Sequence, residues 1–161
     1  MKLSTQLFNG TSAQVLKVAT LSLTVTGLVA TVAVPAQAEN PQQVSQLLET
    51  GACQGCDLSG ADLTGAHLIG VDLRDADLTG TTLAYANLEG ADLTGATLID
   101  TDLNNAFLTN AVLDDTVIQN ADLSESTLVY TSLDDADVDN VDLVGADVLN
   151  TPISIGGSYE E

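Results

Sequence analysis

The chain of 161 residues contains no tryptophan, one histidine, two cysteines and only three lysines and arginines in total. Each scarcity closes off a class of chemistry. Three basic residues against 23 acidic ones cannot neutralise a phosphate backbone, so nucleic-acid binding is excluded by the sign of the charge. The lone histidine, His67, has neither a paired base nor a nucleophile, and zinc would need two ligands beyond Cys53 and Cys56. No glycine-rich phosphate loop and no calcium-loop motif occurs. A non-enzyme without metal or cofactor is the expectation.

What is present is a period. Ala61-Asp62-Leu63-Thr64-Gly65 recurs as Ala76-Asp77-Leu78-Thr79-Gly80 and as Ala91-Asp92-Leu93-Thr94-Gly95. An aliphatic residue occupies every fifth position from Leu58 through Val148, with a twentieth at Ile153. On a helix, leucines five apart would step about 140° around the axis and leave no apolar stripe. On a flat strand an odd period would send successive leucines to opposite faces. The unit must therefore bend: Ala-Asp-Leu reads in, out, in as a short strand, and the next two residues make a polar corner. Repeated bending in one sense winds into a solenoid, each coil burying its apolar side chains against its neighbours.

These units resemble the pentapeptide-repeat family, whose pattern is a small residue, Asp or Asn, Leu or Phe, then two polar or glycine residues. The resemblance covers about residues 53–155. It implies an all-β fold, a right-handed quadrilateral β-helix of four units per coil, with leucine and the small residue inward. Twenty units then make about five coils, a rod about 24 Å long at about 4.8 Å per coil. A continuous filled solenoid is expected to leave no interior pocket.

Lys2 and Lys17 precede an uncharged apolar stretch, Val18 to Val34, followed by Pro35-Ala36-Gln37-Ala38. This is the layout of a secretory signal, residues 1–38, cut after Ala38, and it leaves no stable membrane anchor after cleavage. With no twin-arginine pair and no cysteine at the cleavage point, the general secretory route is expected. Cleavage leaves Arg74 as the sole basic residue and a net charge of −22. Residues 39–52 read as a capping helix: Asn40 as N-cap, Pro41 at the first helical position, Gln43 completing a capping box, Val44, Leu47 and Leu48 on one face, and Gly51 as the stop. Residues 156–161 are an acidic tail.

Cys53 and Cys56 flank the entry to the first unit, and in an exported protein they read as a disulfide rather than a redox pair. Asp102, Asp122 and Asp142 fall 20 residues apart and should stack into an acidic ladder. The outward position is apolar at Phe107, Val112 and Val117, on three consecutive sides of the third coil, a candidate partner patch. Tyr85 and Tyr130 fall at corners. Val148, Ile153 and Ile155 close the last coil with no helix over them, a candidate contact for a weak homodimer.

The leading functional expectation is an exported, non-catalytic structural or protein-interaction module with a rigid acidic surface and an unidentified, basic protein partner. Two alternatives stay open: a DNA-mimicking protein that binds a topoisomerase, as some members of the resembled family do, and an extracytoplasmic cation binder. The entry from Leu47-Leu48-Glu49-Thr50 to Cys56-Asp57-Leu58 resembles that of cyanobacterial pentapeptide-repeat proteins, implying periplasm or thylakoid lumen.

Overall fold

The computed structural model describes residues 40–152. The expected signal segment 1–38, the tail 156–161, and Ile153 and Ile155 lie outside the described residues. Helix α1 spans Pro41–Thr50. Asn40, in extended conformation, accepts from the Gln43 N–H through its side chain at 3.4 Å. Gly51 ends the helix at φ 68°, its N–H donating to the Leu47 carbonyl at 2.9 Å. The reciprocal half of the capping box does not form, because the Gln43 side chain is engaged with Asp57 instead. Leu47 is buried in the core and Val44 packs against it. Leu48 points out at 55% exposure, since the residue next to Leu47 lies about 100° around the helix.

From Ala52 onward each unit pairs in parallel with the unit 20 residues ahead. Asp62 pairs with Thr82, Thr82 with Asp102, Asp102 with Asp122 and Asp122 with Asp142. Three further ladders run through His67, Asp72 and Asp77 in the same register. A 20-residue register is four five-residue units. Where pairing extends over three residues it gives β1 (Thr97–Ile99), β2 (Val117–Gln119), β3 (Thr127–Val129), β4 (Asp137–Asp139) and β5 (Asp147–Leu149). β1, β2 and β4 form one parallel sheet, and β3 and β5 another.

These strands begin on the outward residue and are centred on the inward aliphatic one, one residue later than the in, out, in reading. The small residue is spoken for by the corner. Ala76 donates its N–H to the Leu73 carbonyl at 3.1 Å, closing a turn from the previous side. Asp77 donates back to Cys56 at 2.8 Å, while Leu78 and Gly80 donate forward to Thr97 and Ile99, each at 2.8 Å. The remaining N–H of the unit, that of Thr79, goes to the carboxylate of Asp77 at 2.9 Å. Every donor of the unit thus has a partner, as buried or ladder-forming backbone requires.

The core is a row of leucines, fully buried from Leu58 to Leu108, lined by the small residues between them. Thr or Ser at the small position stays buried because its hydroxyl bonds a backbone carbonyl: Thr81 donates to Leu58 at 2.8 Å and Thr101 to Leu78 at 2.9 Å. Among the described residues no buried side-chain polar atom lacks a partner. Toward the C-terminal end the row opens, with Leu143 half-buried and Val148 39% exposed. A small, partly open apolar hollow lies there between Leu113 and Leu143, about 20 Å³ in volume. Ile118 and the shorter Val138 stand there in place of leucine. No helix among the described residues is long and apolar enough to cross a membrane.

Candidate functional site

The outer surface of the ladders is where this chain can act, and its chemistry is set by the residue before each leucine. Asp at that position does two things. Its carboxylate faces solvent, and it also accepts from the N–H two residues on: Asp62 from Thr64 at 3.0 Å, Asp92 from Thr94 at 3.1 Å, Asp102 from Asn104 at 3.0 Å. Asn87 does the same for Glu89 at 3.0 Å. The local turn explains why Asp and Asn, rather than Glu, recur there. These carboxylates are therefore bonded to the backbone as well as solvated, a role beyond the solvated face expected of them.

Asp102, Asp122 and Asp142 are successive partners in one ladder. Elsewhere on the outer surface three carboxylates, Asp57, Asp62 and Asp72, are held below their ordinary value by local donors. The Ser59 hydroxyl, then its backbone N–H, pulls the Asp57 carboxyl below its ordinary value, and the Thr64 side chain does the same for Asp62. Asp72 is lowered chiefly by the Arg74 side chain, which meets it at 2.6 Å and reaches Asp92 of the next coil at 3.7 Å. No group of three or more His, Cys, Asp or Glu side chains arranged to hold a metal ion occurs among the described residues.

Cys53 and Cys56 are joined by a disulfide with their Cα atoms 5.2 Å apart. Both are buried in the same cluster as Leu47, so the bond lies where the cap helix meets the first unit. Phe107, Val112 and Val117 do not form one patch. They occupy three different ladders, flanked by Asn87 and Thr127, by Asp92 and Ser132, and by Thr97 and Asp137 respectively. Only Phe107 is exposed, at 50%, the two valines being half-buried. They stand on three successive sides of a coil, as the five-residue period in a 20-residue coil implies. Val148 is exposed on the last described strand.

Tyr85 and Tyr130 stand at corners with φ of 60° and 56°, and are 59% and 60% exposed. Every described corner residue from Gly55 to Asn150 has positive φ, and the others are Gly, Asn, Asp or Glu.

The family model described as pentapeptide repeats matches residues 56–95 and 91–129. Among solved structures the chain is similar to a pentapeptide repeat protein of the Arabidopsis thaliana thylakoid lumen: 32% identity, TM-score 0.55, covering 57% of this chain and 65% of that one. The chain therefore spans just under two thirds of that relative's length. It is also similar to HetL, a pentapeptide repeat protein involved in heterocyst differentiation regulation in the cyanobacterium Nostoc, at 30% identity and TM-score 0.47, covering 62% of this chain and 50% of that one. A third neighbour is trypsin-treated QnrB1, a plasmid-mediated fluoroquinolone resistance protein, at 21% identity and TM-score 0.29 over 60% of this chain and 59% of that one. No curated protein matches the chain.

Proposed function

The chain belongs to the pentapeptide-repeat family, and we propose that it is an exported, non-catalytic structural and protein-interaction module presenting a rigid acidic surface. The family's right-handed, four-sided β-helix is the geometry we adopt, supported by the 20-residue parallel register. The observation that carries the function is the outward row itself: its aspartates are fixed by backbone donors and stacked in ladders, so the surface is acidic and held in place at once. A rod with its backbone donors committed to its own ladders offers a preorganised face, which reduces the ordering penalty of binding. The signal-like N-terminus and the lumenal relative support thylakoid lumen or periplasm. The exposed Val148 supports a weak dimer through the last coil, with Ile153 and Ile155 as further contacts.

Mass spectrometry of the protein recovered from the extracytoplasmic fraction tests this reading. A chain beginning at Glu39 and two hydrogens lighter than its reduced mass is expected. Recovery only from the cytosol, with the leader intact and both thiols free, would reject it.

A further inference from the structure

One of the four sides differs from the rest. The ladder through His67, Asn87, Phe107, Thr127 and Asp147 carries only Glu89 and Asp147 as acids in its units, whereas the ladder through Asp72 carries seven. The same side and its two bounding corners hold Ile69, Tyr85, Phe107, Tyr130 and Leu149, exposed by 60, 59, 50, 60 and 53%. These include every strongly exposed aromatic residue among those described. Exposed apolar and aromatic residues depleted of charge at the centre are the composition of an interface core rather than of ordinary surface.

Two local rules of the fold are broken on this side, each at a structural disadvantage. Tyr85 and Tyr130 take left-handed corners, where a side chain is strained and where other corners use Gly, Asn, Asp or Glu. Phe107 replaces the Asp or Asn whose side chain would accept the N–H two residues on, that of Thr109, as Asp102 does for Asn104. Departures from a repeat's own rules that expose aromatics point to selection for binding rather than for folding.

We propose that this side is the docking face, and that its occupant is a protein surface with an apolar centre and a rim of lysine and arginine. This rests on the interaction-module reading above and names its site and partner chemistry. Charge complementarity selects the occupant. The ladder before this side carries Asp102, Asp122 and Asp142; in the ladder after it Arg74 pairs with Asp72 and Asp92, but Asp75, Asp114, Asp115, Asp134 and Asp135 remain in its units, so the apolar strip still runs between two acidic borders. A second copy of this chain meeting it face to face would set acid against acid along both borders. A basic rim meets them instead, steering the encounter while the aromatic strip supplies the short-range contact. The four steps between its five ladder residues span about 19 Å, so the face is smaller than a standard interface and the complex is transient.

The probes are two heptapeptides of equal charge, Lys-Lys-Leu-Phe-Leu-Lys-Lys and Lys-Lys-Ser-Ser-Ser-Lys-Lys, titrated into the full chain by fluorescence anisotropy. The apolar-centred peptide should bind about tenfold more tightly, the scale of burying one large apolar side chain. Phe107→Asn should remove that advantage and leave the serine peptide unchanged, whereas Val112→Asn, on another side, should preserve it. Phe107→Asn folds safely because asparagine restores the corner bond, as Asn87 shows. Equal binding of both peptides, or indifference to Phe107→Asn, overturns the face and leaves the acidic-surface reading standing. Binding of neither peptide overturns both. A dimer in sedimentation that Phe107→Asn dissolves would make the occupant a second copy and overturn the basic partner.

Discussion

Gln43 Oε1 accepts from the Asp57 backbone N–H at 2.6 Å, the place that a preceding coil's carbonyl fills for Asp77, whose N–H donates to Cys56. Gln46 Nε2 likewise donates to the Ala52 carbonyl at 2.8 Å. Two amide side chains of α1 therefore stand in for the backbone of a coil that is not there. A solenoid's first edge otherwise presents unpaired donors and acceptors that recruit other chains.

Gln43→Leu keeps the bulk and removes the acceptor. It should destabilise the chain by about 1 kcal/mol, the net worth of one partly exposed hydrogen bond, and speed hydrogen exchange at the Asp57 amide. Exchange unchanged at Asp57 in the variant would show that the amide is protected by something other than the glutamine.

The inward and outward assignments make opposite predictions for neighbouring residues. Leu98 is fully buried, so Leu98→Asp should cost several kcal/mol through lost packing and an unpaired buried charge, on the order of 4 or more. Asp102→Asn should change little, because asparagine can accept from the Asn104 N–H as Asn87 does from Glu89. Chemical denaturation of both variants checks the contrast, and comparable losses would refute the register.

The period was legible because the apolar residue never leaves its fifth position, and an unbroken register fixes which side chains point inward from Leu58 to Leu108. The cap helix was legible from Asn40, Pro41 and Gly51, whose conformational preferences act locally. The partner of Gln43 was not, since Asp57 lies 14 residues away and only the winding brings it near. The spread of Phe107, Val112 and Val117 over three sides followed from the period, but the half-burial of the two valines did not, since it depends on ladder neighbours 20 residues away. The role of Asp in bonding the N–H two residues on was in the sequence all along, in the repeated choice of Asp or Asn over Glu, and a test of side-chain length would have found it.

Tyr85 offers a test of the corners. An L-residue in the left-handed region is disfavoured by about 1 to 2 kcal/mol, and asparagine tolerates it better than an aromatic does. Tyr85→Asn should raise stability by about 1 kcal/mol, seen as a later midpoint in urea at an unchanged slope. A lower midpoint would mean that the ring packs on its neighbours strongly enough to outweigh the backbone strain.

Acid should remove the stabilisation that Asp57 gains from the donors of Ser59. The Asp57 carboxyl is lowered from its ordinary value of 3.8, first by the Ser59 hydroxyl, which meets it at 2.6 Å, and then by the Ser59 N–H. A folded value below the unfolded one means that the unfolded chain binds the proton more readily, so the stabilisation is fully present above 3.8 and is lost as pH falls through the lower folded value. Asp57→Asn has no proton to bind. Its stability relative to the parent chain should therefore be constant from neutral pH down to about 5, a margin above the carboxylate range. Below that the parent should lose ground on the variant, as measured by urea midpoints across the acid range. The high net charge works in the other direction, because protonating the many exposed carboxylates relieves repulsion in both chains equally and cancels in the comparison. A gap between the two that widens in the parent's favour as pH falls would contradict the bond from Ser59 as the cause.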